Sequence, residues 1–165
     1  MRFEKTALFI VLILVAIALS GCFGSDSSDD GGEKSPYADL EQATFDSINA
    51  HRASIGLGKL NWSGVMAGQA RGHSEAMANG RVNFSHDGFQ DRVNAIKKEI
   101  TIGGAGENVA MNWGSTDPVG VAVSGWLNST GHKANIEGNY DLTGVGVAKS
   151  SDGKYYLTQM FAKSA

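Results

Sequence analysis

The amino-acid sequence predicts a domain of the α+β class, in which helices pack against a small antiparallel sheet. Apolar residues recur at helical spacing in four stretches between residues 38 and 128. The period then changes, because residues 142–149 and 155–161 alternate like two strands joined by a turn. Helices that are not interleaved one by one with strands are typical of an α+β domain rather than of a parallel α/β sheet.

The first 21 residues indicate a signal peptide and are set apart from the fold. Arg2 and Lys5 form a basic start, residues 7–19 are uninterruptedly apolar, and Leu-Ser-Gly precedes Cys22. Thirteen apolar residues in a helix extend roughly 20 Å, less than the roughly 30 Å hydrocarbon core of a membrane. We therefore expect cleavage before Cys22 rather than a membrane-spanning helix.

Cys22 is the single cysteine of the chain. Its position after Leu-Ser-Gly predicts lipidation of the thiol, which would hold the protein at the outer face of the cytoplasmic membrane or in the cell envelope. The alternative is a chance cysteine in a cleaved peptide. The following 143 residues contain no cysteine, which excludes disulfides, thiolate metal sites and cysteine nucleophiles among them.

A polar linker separates the predicted anchor from the globular domain. Residues 25–35 contain no apolar side chain and carry four acids against one lysine. We therefore expect residues 22–36 to form a solvated tether and residues 37–165 to form one domain. From Cys22 onward the chain has 12 basic and 16 acidic residues, a net charge of −4, which argues against a nucleic-acid partner.

Four helices are predicted from apolar spacing and from residues that favour helix ends. Serine, threonine and aspartate cap helix starts, proline fits the first turn, and glycine favours the stop. The first helix covers residues 38–55 and ends before Gly56, and the second runs from the cap Ser63 to Gly80. A weaker third helix covers residues 91–98. The fourth begins at the cap Thr116 or Asp117, has Pro118 in its first turn and ends at about Asn128.

Three strands are predicted after the third helix. Residues 142–149 alternate glycine with β-branched residues, residues 150–153 contain an Asp-Gly turn signal, and residues 155–161 are aromatic and strand-like. Residues 107–111 are the candidate third strand. Together they predict a hairpin with one additional antiparallel strand.

Two of the four histidines are interpreted as structural. His51 lies late in the first helix, on its apolar stripe or beside it. His73 lies on the apolar face of the second helix, seven residues after Met66 and four before Met77. Histidines in such positions are usually packed and hydrogen-bonded, so His73 supports a nearby site at most.

The other two histidines are predicted to lie in connections, where binding and catalytic residues concentrate. His86 stands in the polar sequence Asn-Phe-Ser-His-Asp-Gly after the second helix, and His132 follows the fourth helix. Glu107 enters the candidate strand after a glycine-rich stretch. An acid there is either a solvated edge residue or a buried functional carboxylate, and the residues alone leave both alternatives open.

Six blocks of the sequence occur in a fixed order: Leu60-Asn61-Trp62, Phe84-Ser85-His86, Gly106-Glu107-Asn108, Trp126-Leu127-Asn128-Ser129-Thr130-Gly131-His132-Lys133-Ala134-Asn135-Ile136, Gly144-Val145-Gly146-Val147 and Thr158-Gln159-Met160-Phe161. In this order they resemble the CAP superfamily, the SCP-like proteins named for cysteine-rich secretory proteins, antigen 5 and pathogenesis-related 1. The resemblance spans roughly residues 38–163, and the tryptophan-to-isoleucine block resembles prokaryotic members in particular.

The resemblance implies a three-layer α-β-α sandwich with a small antiparallel sheet and a cleft lined by histidines and acids. His86 and Glu107 match the family's first histidine and the glutamate of its Gly-Glu-Asn motif. The chain departs from the eukaryotic pattern, since none of the three residues directly after Trp126 is an acid and none of the three directly before Thr158 is a histidine. His132 is expected to take the place of the second histidine. Four residues are expected to support this cleft: His73, Ser129, Tyr156 and Gln159.

Two chemistries are compatible with this cleft. His86, Glu107 and His132 form a candidate Zn²⁺ site, because two neutral imidazoles and a carboxylate leave an open water position. Without a metal, Glu107 would orient a histidine through one ring nitrogen. The chain has no Gly-x-Ser-x-Gly elbow, which weakens the case for hydrolysis. Three glycosylation sequons are interpreted mainly as helix and loop caps: Asn61, Asn83 and Asn128.

These observations predict an exported, lipid-anchored CAP-domain protein that acts as an extracellular binding module through the cleft. Its ligand is expected to be a small molecule, a lipid or envelope material, with zinc as the candidate cofactor. Two alternatives stay open: a metal-assisted or acid-base hydrolase of peptide or envelope substrates, and a protein-interaction domain with a vestigial cleft. The sequence leaves undecided whether the protein is an enzyme.

Overall fold

The computed structural model describes residues 35–165, so the predicted signal peptide, Cys22 and most of the predicted tether lie outside the described residues. No helix within residues 35–165 is both long enough and apolar enough to cross a membrane. The described elements are, in chain order, α1 (Ala38–Ser54), β1 (Asn61–Trp62), α2 (Gly64–Ala78), α3 (Phe89–Glu99), β2 (Ile102–Asn112), α4 (Pro118–Leu127), α5 (Thr130–Ile136), β3 (Leu142–Lys149) and β4 (Tyr155–Ser164).

The strands form one mixed sheet in the order β1-β3-β4-β2. β3 and β4 form the predicted hairpin, and β2 lies antiparallel to β4 with Glu107 opposite Met160. β1 runs parallel to β3, with Trp62 opposite Thr143. The α+β class is confirmed, and β2, β3 and β4 form the predicted antiparallel sheet, to which β1 adds a parallel pair that the sequence did not predict. A two-residue strand is too short to show the alternation that reveals strands in a sequence.

Helices cover both faces of the sheet and produce the three-layer sandwich. One core cluster includes Trp126 and Phe161 and lies on the face covered by α1, α4 and α5. The second cluster includes Met66 and Met160 and lies on the face covered by α2 and α3. Because successive strand residues point to opposite faces, Glu107 projects toward α2 and α3, as Met160 does.

Two glycines in β3 bring α2 into direct contact with the sheet. A Cβ atom at Gly144 would lie 2.2 Å from the backbone nitrogen of Ala67, and one at Gly146 would lie 2.1 Å from that of Arg71. No side chain fits at these distances, so the alternation of glycine and valine serves a close helix-sheet contact. This contact positions α2, which carries His73.

The predicted helix starts agree with the structure where capping side chains are present. The Ser63 hydroxyl accepts a hydrogen bond from the Met66 N–H, and the Asp117 carboxylate accepts one from the Gly120 N–H. The fifth helix is a correction, because His132 lies within α5 and not in a connection. A helix of seven residues is too short to show a clear apolar stripe.

Candidate functional site

The candidate site lies on β2, one of the two edge strands of the sheet, where three segments meet. Glu107 projects from β2, His86 comes from the loop between α2 and α3, and His132 comes from α5. The His86 ring donates from Nδ1 to Oε1 of Glu107 over 2.8 Å, and the centres of the two histidine rings are 6.4 Å apart. The structure therefore brings together the three residues that the sequence proposed.

Glu107 is a buried carboxylate rather than a solvated edge residue. Its exposed fraction is 5%, and the guanidinium of Arg92 donates to both of its oxygens. The bond from Arg92 Nε to Oε2 and the bond from Nη2 to Oε1 both measure 2.8 Å. Such a two-pronged, charge-assisted contact holds the carboxylate in one orientation.

Arg92 also connects this ion pair to His73. Its Nη1 donates to His73 Nδ1 over 3.2 Å, and the Nε2 of His73 lies 2.9 Å from the carbonyl of Ser85. Since arginine only donates, His73 Nδ1 must accept and its proton must reside on Nε2. Burial lowers the pKa of His73, against the opposing effect of the Ser85 carbonyl, so His73 is neutral at pH 7.

The same two side chains hold the loop that carries His86. His73 binds the carbonyl of Ser85, which precedes His86, and Arg92 Nη1 binds the carbonyl of Asp87, which follows it, over 2.9 Å. The His86 backbone is thus fastened on both sides, while its side chain is half exposed. The buried network orients an imidazole that solvent and ligands can reach.

Helix α5 is attached to β2 by two asparagines. Asn108 donates to the backbone carbonyl of His132 over 3.1 Å. Asn135 donates to the carbonyl of Glu107 over 3.0 Å and to the side-chain oxygen of Asn108 over 2.9 Å. Burial, and to a lesser degree the neighbouring His86, lower the pKa of His132. His132 therefore also presents a neutral ring at pH 7.

Three further residues were expected to support this cleft: Ser129, Tyr156 and Gln159. Ser129 precedes α5 and lines the same groove as His132. Tyr156 lies on β4 opposite Met111. Gln159 is fully buried on the sheet face opposite to Glu107, where it donates to the Thr143 hydroxyl and makes no recorded hydrogen bond to His86, Glu107 or His132.

His51 has a structural partner and is not among the residues that line the groove beside His132. Its Nε2 lies 2.8 Å from a carboxylate oxygen of Glu137. Glu137 follows α5 as its C-terminal cap residue. His51 therefore links α1 to the end of α5.

An apolar groove of about 350 Å³ runs from His132 along β2. Its walls come from β2, from α4 and from the loop before His86, and its lining includes Phe84, Val109, Met111, Val121 and Gly125. Phe84 and Val121 are 49% and 47% exposed. A polar histidine end joined to an apolar groove is the usual composition of a ligand site.

The predicted three-ligand zinc site does not fit this arrangement. Both oxygens of Glu107 are held by Arg92, and one also accepts from His86, so a metal would have to displace a buried guanidinium. Residues 35–165 contain no group of three or more His, Cys, Asp or Glu side chains placed to hold a metal ion. Glu107 instead has the second predicted role, which is to orient His86 through one ring nitrogen.

Arg92 is the main site residue that the sequence analysis missed. It lies on α3 at the spacing of Phe89, Val93 and Ile96, of which the last two belong to the buried core. A charged residue on the apolar stripe of a helix is a signal for a buried ion pair, because an unpaired charge is too costly to bury there. The predicted helix over residues 91–98 contained Arg92, Val93 and Ile96 and left out only Phe89, so the signal was present but was not used.

Comparisons with known proteins identify the family of this chain. The family model described as CAP, the cysteine-rich secretory protein family, matches residues 45–161. The chain belongs to the CAP family. In Bacillus subtilis strain 168, the relative named uncharacterized membrane protein YlbC is 40% identical over 129 residues, which cover 74% of this chain and 34% of YlbC. This CAP chain thus spans about a third of the length of that curated relative.

Solved structures show the same fold. An extracellular protein from Bacillus anthracis strain Ames that contains an SCP domain is 33% identical, with a TM-score of 0.62 over 81% of this chain and 45% of that chain. An outer surface protein of Borrelia burgdorferi has a TM-score of 0.67 over 81% of this chain and 99% of its own. Its identity is 20%, so this second likeness concerns the fold alone.

Proposed function

We propose that this CAP domain is an exported, lipid-anchored binding module that takes its ligand between His86 and His132. The observation that carries the proposal is the buried chain of contacts from His73 through Arg92 and Glu107 to His86. A buried ion pair is expensive to maintain, and here it orients a half-exposed ring. The presence of this buried ion pair beside an exposed ring supports a ligand site rather than a vestigial cleft.

The chemistry of the two rings indicates what the ligand offers. Nδ1 of His86 donates to Glu107, so Nε2 is the ring nitrogen left for a ligand. His132 is neutral at pH 7, since burial lowers its pKa. A neutral acceptor beside an apolar groove suits a ligand with an N–H or O–H donor and an apolar portion.

Binding is favoured over hydrolysis by the environment of the carboxylate and the rings. Both carboxylate oxygens of Glu107 accept hydrogen bonds from Arg92, and one also accepts from His86, so Glu107 is poorly placed to act as a general base. Within residues 35–165, neither His86 nor His132 makes a side-chain hydrogen bond to a serine or threonine hydroxyl, as an activated nucleophile would require. The proposal therefore assigns no chemical step.

The proposed location is the outer face of the cytoplasmic membrane. The basic start, the apolar run and Cys22 support an anchor there. The names of two relatives, a membrane protein and an extracellular protein, support an envelope or extracellular location.

The proposal is tested by ligand screening with histidine-labelled protein. The probes are decanoate, N-acetylglucosamine, muropeptides and short blocked peptides, and NMR follows the ring signals of His86 and His132. We expect at least one probe to shift these signals, and His86→Ala and His132→Ala to weaken its binding about tenfold or more. His51→Gln is the matched control, because His51 lies outside the cleft. Failure of every probe, or equal binding by the cleft variants, refutes the proposal.

A further inference from the structure

The backbone of β2 has two sets of hydrogen-bonding groups. In an antiparallel pair, every second residue bonds to the neighbouring strand, and the residues between direct N–H and C=O away from it. The carbonyl of Glu107 accepts from Asn135, and the carbonyl of Val109 accepts from the Trp126 indole over 2.9 Å. These contacts identify the odd-numbered residues as the outward set, so the backbone of Met111 also points away from β4.

Met111 is an outward position with no recorded protein partner within the described part of the chain, as is Ala105 at the other end of β2. On the opposite side of the sheet, the Thr143 carbonyl accepts from Ser63 N–H, and the Val147 N–H donates to Glu41. Among residues 35–165, no hydrogen bond is recorded for the outward N–H and C=O of Met111. An edge strand with free backbone groups is a template for another strand.

Beyond the Glu107 and Val109 carbonyls, which α5 and α4 bind, the sequence around Met111 lacks the residues that protect edge strands. Residues 108–113 contain no lysine, arginine or proline. The irregularity in the pairing of β2 with β4 lies at the far end, between Ile102 and Ala105. Natural sheets usually block exposed edges with such residues or with bulges. An open edge here is consistent with a binding role.

The apolar groove lies along this open edge. Val121 and Gly125 of α4 form one wall, and Phe84 forms part of the other. Trp113, at the end of the strand, is 67% exposed. Because alternate side chains of an extended segment point to opposite sides, such a segment would place them against these two walls.

We infer that the groove binds an extended polypeptide segment, which adds as a strand to β2 through the N–H and C=O of Met111. The inference rests on the proposed function, because the groove ends at His132 and the segment would reach the histidine pair there. Main-chain hydrogen bonds would supply part of the affinity, and the apolar walls would select the side chains.

A peptide fits this edge better than a second copy of the chain. Met111 lies at the bottom of a groove between α4 and Phe84. We expect the α4 helices of two copies to keep their β2 strands farther apart than the roughly 4.8 Å spacing of paired strands. A single extended segment has no such walls and can enter.

The test measures binding of fluorescent, end-blocked hexapeptides in which threonine alternates with valine, leucine or phenylalanine. Met111→Pro removes the outward N–H but none of the bonds to β4, which belong to the neighbouring residues. We expect Met111→Pro to weaken binding about tenfold or more and Met111→Leu to preserve it. Hydrogen exchange at the Met111 amide should slow when the peptide binds to the full chain.

A second pair of variants blocks the groove without touching the strand. A Cβ atom at Gly125 meets no other atom within 4 Å, so Gly125→Leu fits α4 and projects into the groove. Gly72→Leu is the matched control, since Gly72 is also helical and equally open but lies in α2. We expect only Gly125→Leu to weaken peptide binding, which keeps the test decisive if Met111→Pro unfolds.

The outcomes separate this inference from the proposed function. Peptide binding that depends on Met111 and Gly125 but not on His86 supports strand addition and refutes the histidine cleft. Binding of another probe that depends on His86 but not on Met111 supports the histidine cleft and refutes strand addition. Absence of peptide binding at millimolar concentration overturns the inference. Self-association that Met111→Pro abolishes would assign the edge to a second copy and overturn it as well.

Discussion

Arg92 and Glu107 form a buried ion pair through two hydrogen bonds of 2.8 Å between one guanidinium and one carboxylate. Their exposed fractions are 9% and 5%. The pair is the junction of the site, because Arg92 also contacts His73 and Glu107 also contacts His86. We expect this ion pair to stabilise the region and to keep the exposed ring of His86 in one orientation.

Loss of one partner of this pair should be costly. We expect Arg92→Met to lower the free energy of unfolding by about 3–5 kcal/mol, because the Glu107 carboxylate stays buried without a counter-charge. Urea denaturation measures the change. The double variant Arg92→Met with Glu107→Gln should recover part of the lost free energy of unfolding. If the losses of the two single variants simply add in the double variant, the pairing is contradicted.

The histidines predict how stability depends on pH. Burial lowers the pKa of His73, and of His132, in the folded state. Below the ordinary histidine pKa of about 6.5, the unfolded chain therefore binds more protons than the folded chain. We expect the free energy of unfolding to fall as the pH falls through this range, measured by urea denaturation at successive pH values.

The matched variant for this pH dependence is His73→Gln. Glutamine can donate to the Ser85 carbonyl, as His73 does, but it does not titrate. The slope of stability against pH should therefore become smaller in the variant. An unchanged slope would mean that His73 does not contribute to it.

The contact between α2 and β3 predicts opposite effects for two glycine substitutions. Gly146→Ala should cost about 1–3 kcal/mol or more, because its Cβ would lie 2.1 Å from the Arg71 nitrogen. Gly72→Ala, in the open part of α2, should stabilise the protein by up to about 1 kcal/mol. Thermal melting of both variants checks this pair, and equal melting temperatures would refute the close contact.

Trp126 combines core packing with a hydrogen bond to β2. It is 2% exposed, and its indole donates to the Val109 carbonyl. Trp126→Ala should lower the free energy of unfolding by about 3–5 kcal/mol. Trp126→Phe should cost less, since it keeps an aromatic ring and loses the indole donor. A Trp126→Ala variant that melts with the wild type would contradict this packing.

The lipidation of Cys22 is open to a fractionation experiment. Cys22→Ser removes the thiol that the proposed anchor needs, so the protein should leave the membrane fraction or accumulate as a precursor. The matched control is Ser20→Ala, a change to another small residue within the same motif. A Cys22→Ser chain that fractionates and migrates like the wild type would refute the anchor.

The sequence by itself determined those parts of the fold that depend on near neighbours. A cap such as Ser63 or Asp117 acts on an N–H three residues away, and the β3-β4 hairpin joins strands through a short turn. These features depend on local geometry, so local patterns predicted them. By contrast, β1 and α5 are too short to show a period, and the sequence analysis did not predict them.

The tertiary structure decided which side chains share the cleft. His86, Glu107 and His132 were proposed from motifs, but only the fold placed Arg92 between Glu107 and His73. The tertiary structure also placed Gln159 on the face of the sheet opposite to Glu107. The physical reason is that strand register decides which side of the sheet a residue faces, and helix packing decides what covers it. Both depend on contacts between segments far apart in the sequence, which local spacing does not reveal.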